Sequence, residues 1–448
     1  MRRVYIENLG CSKNQVDAEV MLAQLSSGFV RTEDATEADL IIVNTCGFIE
    51  SAREESISAF FELHSANPEA RIILSGCMAE RYGAALEEEL GEASAIFGNR
   101  DLSQISGVVA RVFDGERVLS TPAYGDVRND VYERSELFNY PGSAYLKISE
   151  GCNHRCSFCA IPLIRGPLRS RPMEVILTEA SALISSGVRE LNLIAQDLAS
   201  YGTDWEGRES RFMALLEALV GLDGDFWIRL LYIHPDTFPP TLPAFIKAHP
   251  KVLPYFDIPF QHANTAILRS MGRVGTKESY LALIASIRAQ IPDAVLRSTI
   301  LLGYPGESEE AFGQVIDFLK EAKLNWVGSF VYSREEGTRA YELRGAGAHK
   351  RAAAEARRRQ QALERVQGPI TEENLARFVG REMDVLVEEL IEGEDLAIGR
   401  SWIQAPEVDG LIVIMGRNLT AGTIVRCGIR RVNGLDLEAI VIEGGRDG

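Results

Sequence analysis

No stretch of this chain approaches the run of about 18 apolar residues that a membrane-spanning helix needs. Its start, MRRVYIENLG, lacks an apolar segment followed by a small-residue cleavage site, so no secretory leader is predicted and the expected location is cytoplasmic. Excess positive charge is missing too. The formal net charge is -17, which argues against a broad nucleic-acid surface, because phosphate binding needs a patch rich in lysine and arginine, and leaves RNA contact possible but not favoured. A basic partner protein fits that charge, and so does simple solubility. Cysteine is scarce. Seven residues, widely spread, cannot build a disulfide framework, so they read as ligands, nucleophiles or core residues. There is no credible Ser-His-Asp set, and GYPGES lacks the Gly-Lys-Ser/Thr ending of a phosphate loop.

What is present is α/β patterning over most of the 448 residues, a length that predicts two or three domains. Over about 1–100, the strand-like runs RRVYIENLG, DLIIVNTCGF and RIILSGCMA alternate with helical VDAEVMLAQLSS, ESAREESISAFFELH and AERYGAALEEEL. That order predicts a parallel sheet with helices on its faces. Residues of about 101–140, including TPAYGDVRND and ERSELFNYPGSA, read as a turn-rich connector with a few local elements. Six further β/α units follow between about 144 and 345. Their strands are AYLKIS, VRELNLIAQD, FWIRLLYI, VLPYFDIPF, AVLRSTILLG and NWVGSFVYS, which predict a (β/α)6 partial barrel with its site at the strand C-termini. AGAHKRAAAEARRRQQALERVQ, within 346–378, reads as an exposed Ala- and Arg-rich helix, either a solvated linker or a basic contact to a ligand or neighbouring domain. The tail, about 379–446, alternates apolar and polar residues between Gly and Asp-Gly turns and predicts a small antiparallel five-stranded β-barrel.

The strongest chemical signal is Cys152-Asn-His-Arg-Cys156-Ser-Phe-Cys159. This C-x3-C-x2-C spacing lets three thiolates face one side of an iron–sulfur cubane. No fourth cysteine is near in sequence, which leaves one iron open to a further ligand. A zinc site using His154 is the alternative, but the spacing is wrong for the usual zinc pairs. Cys11, Cys46 and Cys77 each follow a predicted strand. Ligands gather at the carboxyl ends of strands in such sheets, so these three can converge.

The Cys152–Cys159 segment, with Phe158 before the last cysteine, resembles the signature of the radical S-adenosylmethionine superfamily. Over nearly the whole chain, the order of domains is similar to that of the methylthiotransferases of this superfamily. The resemblance implies domains at 1–115, 138–370 and 378–446, the last a TRAM-like barrel for substrate recognition. It implies two 4Fe–4S clusters, one on Cys152, Cys156 and Cys159 and a second on Cys11 in LGCSKNQVD, Cys46 in NTCGFIE and Cys77 in SGCMAE. The first cleaves S-adenosylmethionine to a 5′-deoxyadenosyl radical, and the second is where the sulfur to be transferred is bound or built. The segments IPLIRGPLRSRP, LIAQDLASYGTD, FDIPFQHANTAILRSMGR, LLGYPGES and GRSWIQAPEVDG resemble the branch that modifies an aspartate of the twelfth small-subunit ribosomal protein. LGCSKN and VYSREEGTRA depart from the usual family sequences without removing a cluster ligand. Modification of an adenosine in transfer RNA and a non-catalytic iron–sulfur carrier are the competing functions. The family's chemistry also implies an electron donor such as flavodoxin or ferredoxin, a sulfur donor, and two clusters facing one cavity, within about 20 Å.

From Arg381 to the end there are seven arginines, no lysines and thirteen acidic residues, or -6. Such a barrel suits a basic ribosomal protein better than RNA, although a structural cap would read the same way. Gln196 and Asp197 end a strand where the family contacts the methionyl part of S-adenosylmethionine. Gly303, Pro305, Gly306 and Glu307 form a strand-to-helix turn that either brings amides to the nucleoside or only starts a helix. Arg297 and Ser298 are earlier on that strand and are weaker cofactor candidates. Gln261 and His262 face the predicted cavity, where a general base is tempting, but radical hydrogen abstraction does not need one. Lys13 and Asn44, beside the early cysteines, are candidates to tune a cluster by hydrogen bonding. Cys427 reads as buried and inert.

Overall fold

The computed structural model describes residues 1–122, 134 and 136–442. The first region is a six-stranded, all-parallel sheet in the order β2-β1-β3-β4-β5-β6. Its strands are β1 (Arg2–Asn8), β2 (Phe29–Arg31), β3 (Leu40–Thr45), β4 (Arg71–Gly76), β5 (Ala95–Gly98) and β6 (Val118–Ser120). Helices α1 (Ser12–Leu25), α2 (Glu50–Ala66), α3 (Cys77–Glu89) and α4 (Ile105–Phe113) cover it. LIIVNT of β3 is buried at every position, as a central parallel strand covered on both faces must be. Three strands escaped sequence reading. β2, β5 and β6 are only three or four residues long, too short to show a period. The connector expected from residue 101 therefore begins with α4 and an edge strand ending at Ser120. Most of TPAYGDVRND, and Glu133 and Ser135 of ERSELFNYPGSA, lie outside the described residues.

The central region holds β7 (Ser143–Lys147), β8 (Ser149–Glu150), β9 (Arg169–Ser170), β10 (Glu190–Ile194), β11 (Trp227–Leu230), β12 (Tyr255–Asp257), β13 (Val295–Leu302) and β14 (Trp326–Val331). β8 and β9 are a two-residue antiparallel clip. The other six are parallel, in two sheets, β11-β10-β7 and β12-β13-β14, joined by a single bridge between Ile228 and Val252. This is the open arc of six β/α units that the sequence predicts. Its helices are α5 (Ile161–Ile164), α6 (Met173–Ser185), α7 (Phe212–Val220), α8 (Leu242–Ala248), α9 (Thr265–Ser270), α10 (Lys277–Gln290) and α11 (Glu309–Ala322).

Helix α12 (Ala346–Ala376) corrects one expectation. It is not a solvated linker, because it packs along α11, β13 and β14. Ala356, Arg359, Leu363, Gln367, Thr371 and Asn374 recur every three or four residues and are all buried. Only two of these six are aliphatic, so an ordinary hydrophobic stripe is hard to see in the sequence.

The last region is a closed barrel, β15 (Glu382–Leu390), β16 (Leu396–Arg400), β17 (Ile412–Met415), β19 (Asp436–Val441) and β18 (Ile424–Asn433). Four seams are antiparallel and the β17–β19 seam is parallel. A fully antiparallel barrel was expected. Strand direction must return to itself around a closed ring, so five strands force at least one parallel seam. The loop after β16 plugs the arc. Ile403 and Ala405 share a buried cluster with Tyr145, Ile194, Tyr255 and Val295 of the arc and with Val16 and Val20 of α1. Arg229 of β11 donates to the Ser401 and Trp402 carbonyls at 3.0 and 2.9 Å, and Trp326 Nε1 donates to the Ile403 carbonyl at 2.8 Å. All three regions therefore meet inside the arc. Among the described residues, no helix is long and apolar enough to cross a membrane.

Candidate active site

The parallel register of the first sheet aligns the ends of β1, β3 and β4, with Asn8 beside Asn44 and Asn44 beside Ser75. Cys11 caps α1, Cys46 follows β3, and Cys77 opens α3. Cys46 lies within electrostatic reach of Cys11, and Cys77 of both. Asn14 organises the group. Its Nδ2 donates to the Leu9 and Thr45 carbonyls, and its Oδ1 lies 3.2 Å from Cys77 Sγ and 4.0 Å from Cys11 Sγ. Gly76 has φ +93, and a Cβ there would lie 2.6 Å from Asn44 Oδ1 and the Thr45 carbonyl, so glycine is required to bring Cys77 to this end. Asn99 Nδ2 and an Arg165 NH2 group donate to Cys77 Sγ at 3.3 and 3.4 Å. Burial pushes the Cys77 thiol up to about 12 although Arg165 pulls the other way, and burial also raises Cys46.

The second triad is held by a tight loop. Gly151 has φ +73, and a Cβ there would sit 2.0 Å from the Pro167 carbonyl oxygen. Cys152 N donates to the Gly166 carbonyl at 3.1 Å, and His154 N donates to Cys152 Sγ at 3.4 Å. Ser157 is fixed by the Met271 and Ser270 carbonyls and by Tyr304 Oη, while Phe158 packs on an apolar patch with Met271 and Tyr304. His154 turns to Asp197 Oδ2, 2.8 Å away, and stacks on His234 with centroids 4.0 Å apart. Burial raises Cys152 to about 11 and Cys159 to about 12.

The segments that carry the two triads touch. Cys77 packs in one apolar contact cluster with Ala160, the neighbour of Cys159, and with Ile164. Arg165, one residue beyond α5, reaches from the central region into the first triad. Its guanidinium donates to both Glu150 carboxylate oxygens at 2.9 Å, to Asp17 Oδ2 at 2.9 Å and to Asn14 Oδ1 at 2.8 Å. Lys147 also pairs with Asp17 and Glu150. Four buried charges thus bind α1 to β7, β8 and the loop after α5. Glu335, beyond β14, adds a second clasp to Arg53 and Arg81 at 2.6 and 2.7 Å.

The other sequence-predicted residues divide. Gln196 follows β10, and both polar atoms of its amide are buried without a partner among the described residues. Asp197 accepts from His154, Ser200 Oγ, Thr237 Oγ1 and the backbone of Ala199 and His234. Five donors saturate a carboxylate with about four lone-pair sites, so its role here is to fix His154 in the second triad's loop. Arg297 lies near the opposite end of β13, pairing with Asp257 at 3.0 Å and Asp409 of the barrel at 3.4 Å. Ser298 is fully buried and accepts from Phe260 N. Gly303, at φ +77, would place a Cβ 2.5 Å from that of Ala356, so it serves the approach of α12. Gly306, at φ +91, has only Ile267 Cδ1 within 4 Å and leaves the Pro305–Gly306 turn open. His262 is fully buried. Burial, then Arg359, pushes it down to about 3, so it is neutral with Nδ1 accepting from Asn264 N. Asn44 donates to Asn8 and Asn14, and Cys427 is buried within the barrel. Sequence reasoning missed Asn14, Asn99, Glu150 and Arg165. The one available hint was Arg165 in the quoted segment IPLIRGPLRSRP.

Family comparisons match the same three regions. The model for Uncharacterized protein family UPF0004 matches residues 3–98, that of the Radical SAM superfamily 146–319, and that of the TRAM domain 379–442. A ribosomal protein uS12 methylthiotransferase RimO of Treponema denticola is 43% identical, over 97% of this chain and 99% of its own length. The protein of that name from Moorella thermoacetica is 42% identical over 95% and 96%. This chain belongs to the ribosomal protein uS12 methylthiotransferase family. The fold also resembles a radical S-adenosylmethionine methyltransferase, TsrM of Kitasatospora setae, with a TM-score of 0.54, 15% identity and 73% of each chain covered.

The methylthiotransferase family uses S-adenosylmethionine and 4Fe–4S clusters, and the residues present fit both. Each triad offers three free thiols. Burial favours the neutral thiol at Cys46, Cys77, Cys152 and Cys159, so iron must drive these to thiolates and release their protons. Among the described residues, no three His, Cys, Asp or Glu side chains are set to hold a single metal ion. Cubane ligation differs, since its irons occupy separate corners. The unpartnered Gln196 amide at a strand end is a fitting contact for a polar cofactor.

Proposed function

We propose that this chain is a radical S-adenosylmethionine methylthiotransferase that replaces a hydrogen on the β-carbon of an aspartate in ribosomal protein uS12 by a methylthio group. The observation that supports the proposal is the apolar cluster that Cys77 shares with Ala160 and Ile164, which brings the first cysteine-bearing region against the segment after Cys159. Cys152, Cys156 and Cys159 would hold one 4Fe–4S cluster, and Cys11, Cys46 and Cys77 the other. Bound there, the clusters and S-adenosylmethionine supply the one-electron cleavage that abstracts hydrogen, and the methylated sulfur that replaces it. Gln196 would bind the methionyl part of S-adenosylmethionine, and Asp197 holds His154 and so the loop that carries the second triad. The open Pro305–Gly306 turn, rather than Gly303, is the part of its segment free to meet the nucleoside. Arg297 and Ser298 act as structural residues in this reading. The charge network around Arg165 keeps α1 against the central region and water out of the interface.

Residues 1–115, 138–370 and 378–446 then serve as sulfur-handling domain, radical core and substrate-recognition barrel. A basic ribosomal protein fits the barrel's charge. Of its six described arginines from Arg381 on, five pair with carboxylates, which weakens the positive field a phosphate backbone would need. A flavodoxin or ferredoxin would supply electrons, a separate sulfur donor would supply sulfur, and the cytoplasm would hold both. The test is to incubate the reconstituted chain with reductant, S-adenosylmethionine and either ribosomal protein uS12 or transfer RNA. A methylthio mass gain on one aspartate, together with 5′-deoxyadenosine, is expected. Modification of transfer RNA alone would overturn the substrate assignment.

A further inference from the structure

Lys13, at the interface between the triads, has no carboxylate partner among the described residues. Three basic side chains, Lys13, Lys147 and Arg165, lie near two carboxylates, Asp17 and Glu150. Lys147 and Arg165 each pair with both carboxylates. Lys13 pairs with neither; among the described residues its Nζ lies 4.2 Å over the Tyr232 ring. Lys13 is 7% exposed, so a long polar side chain is buried with its ammonium unmatched. Among the described residues no hydrogen bond joins it to a sulfur of the first triad, although Cys11 lies within its electrostatic reach. The donors to Cys77 Sγ are Asn99 and Arg165.

Two further features mark the same spot. Tyr232, just past the end of β11, has φ 71, a conformation that bulky residues rarely adopt and that concentrates at functional sites. It presents its ring to Lys13 and so holds the ammonium on the side of the central region. Ser12, beside Lys13, turns a buried hydroxyl towards the phenol of Tyr232. Both residues lie in the first turn of the 14-residue α1, where Cys11 gives no side-chain cap and the helix end is positive.

An aspartate whose β-carbon reacts between the triads must bring its carboxylate into this water-poor interface. A charged carboxylate entering such a place needs a cation and hydrogen-bond donors. We propose that Lys13, supported by Ser12 and the start of α1, binds the carboxylate of the substrate aspartate and so selects an acidic side chain for reaction. No bond is made or broken at Lys13. This inference rests on the function proposed above.

The test uses the holoenzyme with both clusters reconstituted, as wild type, Lys13→Met and Lys13→Arg. Each is titrated with ribosomal protein uS12 and with uS12 in which the target aspartate is asparagine. Iron content, the cluster EPR signals and substrate-free 5′-deoxyadenosine formation are measured alongside. Lys13→Met should keep its iron and its EPR signals, yet bind uS12 about tenfold or more weakly, the scale of one charge-assisted hydrogen bond. It should lose nothing further with the asparagine substrate, and Lys13→Arg should recover much of the binding. Unchanged binding in Lys13→Met, or a loss that simply adds to that of the asparagine substrate, would overturn the inference. So would loss of iron or an altered EPR signal with binding intact, because Lys13 would then serve the cluster. Failure of the wild type to add a methylthio group to uS12 would instead defeat the functional reading beneath it.

Discussion

Replacing Arg165 by methionine keeps much of the side chain's bulk but removes the charge that spans the interface. Arg165 is 2% exposed and donates to Glu150, Asp17, Asn14 and Cys77. Without it, Asp17 and Glu150 must share Lys147, leaving one buried carboxylate unpaired, a situation that costs about 3–5 kcal/mol. Asp17 is on α1 and Glu150 on the central region, so the cost falls on the seam between them. Hydrogen exchange of the α1 amides reads that seam, and 3–5 kcal/mol corresponds to roughly two to three and a half orders of magnitude in protection. Adding Asp17→Asn removes the stranded charge and should recover about half or more of the loss. Arg165→Lys should recover only part, because an ammonium cannot match a fork that meets two carboxylates and an amide. If Arg165→Met left α1 protection within about 1 kcal/mol of wild type, the network would not be what docks the first region.

Other perturbations test other parts. Gly151→Ala places a methyl 2.0 Å from the Pro167 carbonyl at φ +73. It should release the second triad's iron and leave the first triad's iron in place, as read by iron analysis and EPR. Burial opposes the charge of Glu190, but Arg400 and Arg229 outweigh it and hold its carboxyl down at about 2. Its folded pKa is thus below the ordinary 4.5, so this contribution, roughly 3 kcal/mol, is whole above about pH 4.5 and is lost as pH falls towards 2. Hydrogen exchange in β15 and β16 across that window should show the barrel loosening, and Glu190→Gln should flatten the dependence. Glu335→Ala strands Arg53 and Arg81 and should weaken attachment of α2 and α3 by about 3 kcal/mol in the same assay.

The parts legible in the sequence were those carried by local pattern. Cys11, Cys46 and Cys77 could be placed at strand ends because long apolar runs precede them, and the Cys152–Cys159 spacing lies in eight residues. The six central strands are apolar enough to stand out. What could not be read depends on residues far apart. Arg165 acquires meaning only from Asp17, 148 positions away, and Asn14 only from Cys77. Asp197 resembled a ligand contact, but donors from His154, Ala199, Ser200, His234 and Thr237 already fill it. Helix α12 hid a buried face behind alanine, arginine and glutamine, and Arg359 on that face is neutralised by Glu307 at 2.7 Å. The edge strands β2 and β6 are too short for any period to register.

The division of labour between the triads is tested most directly by mass spectrometry of ribosomal protein uS12, paired with assay of 5′-deoxyadenosine, for wild type, Cys77→Ala and Cys159→Ala. Cys159→Ala should abolish both products. Cys77→Ala should still form 5′-deoxyadenosine while leaving the aspartate without its methylthio group. Methylthio transfer that survives Cys77→Ala, or 5′-deoxyadenosine formation that survives Cys159→Ala, would contradict the account.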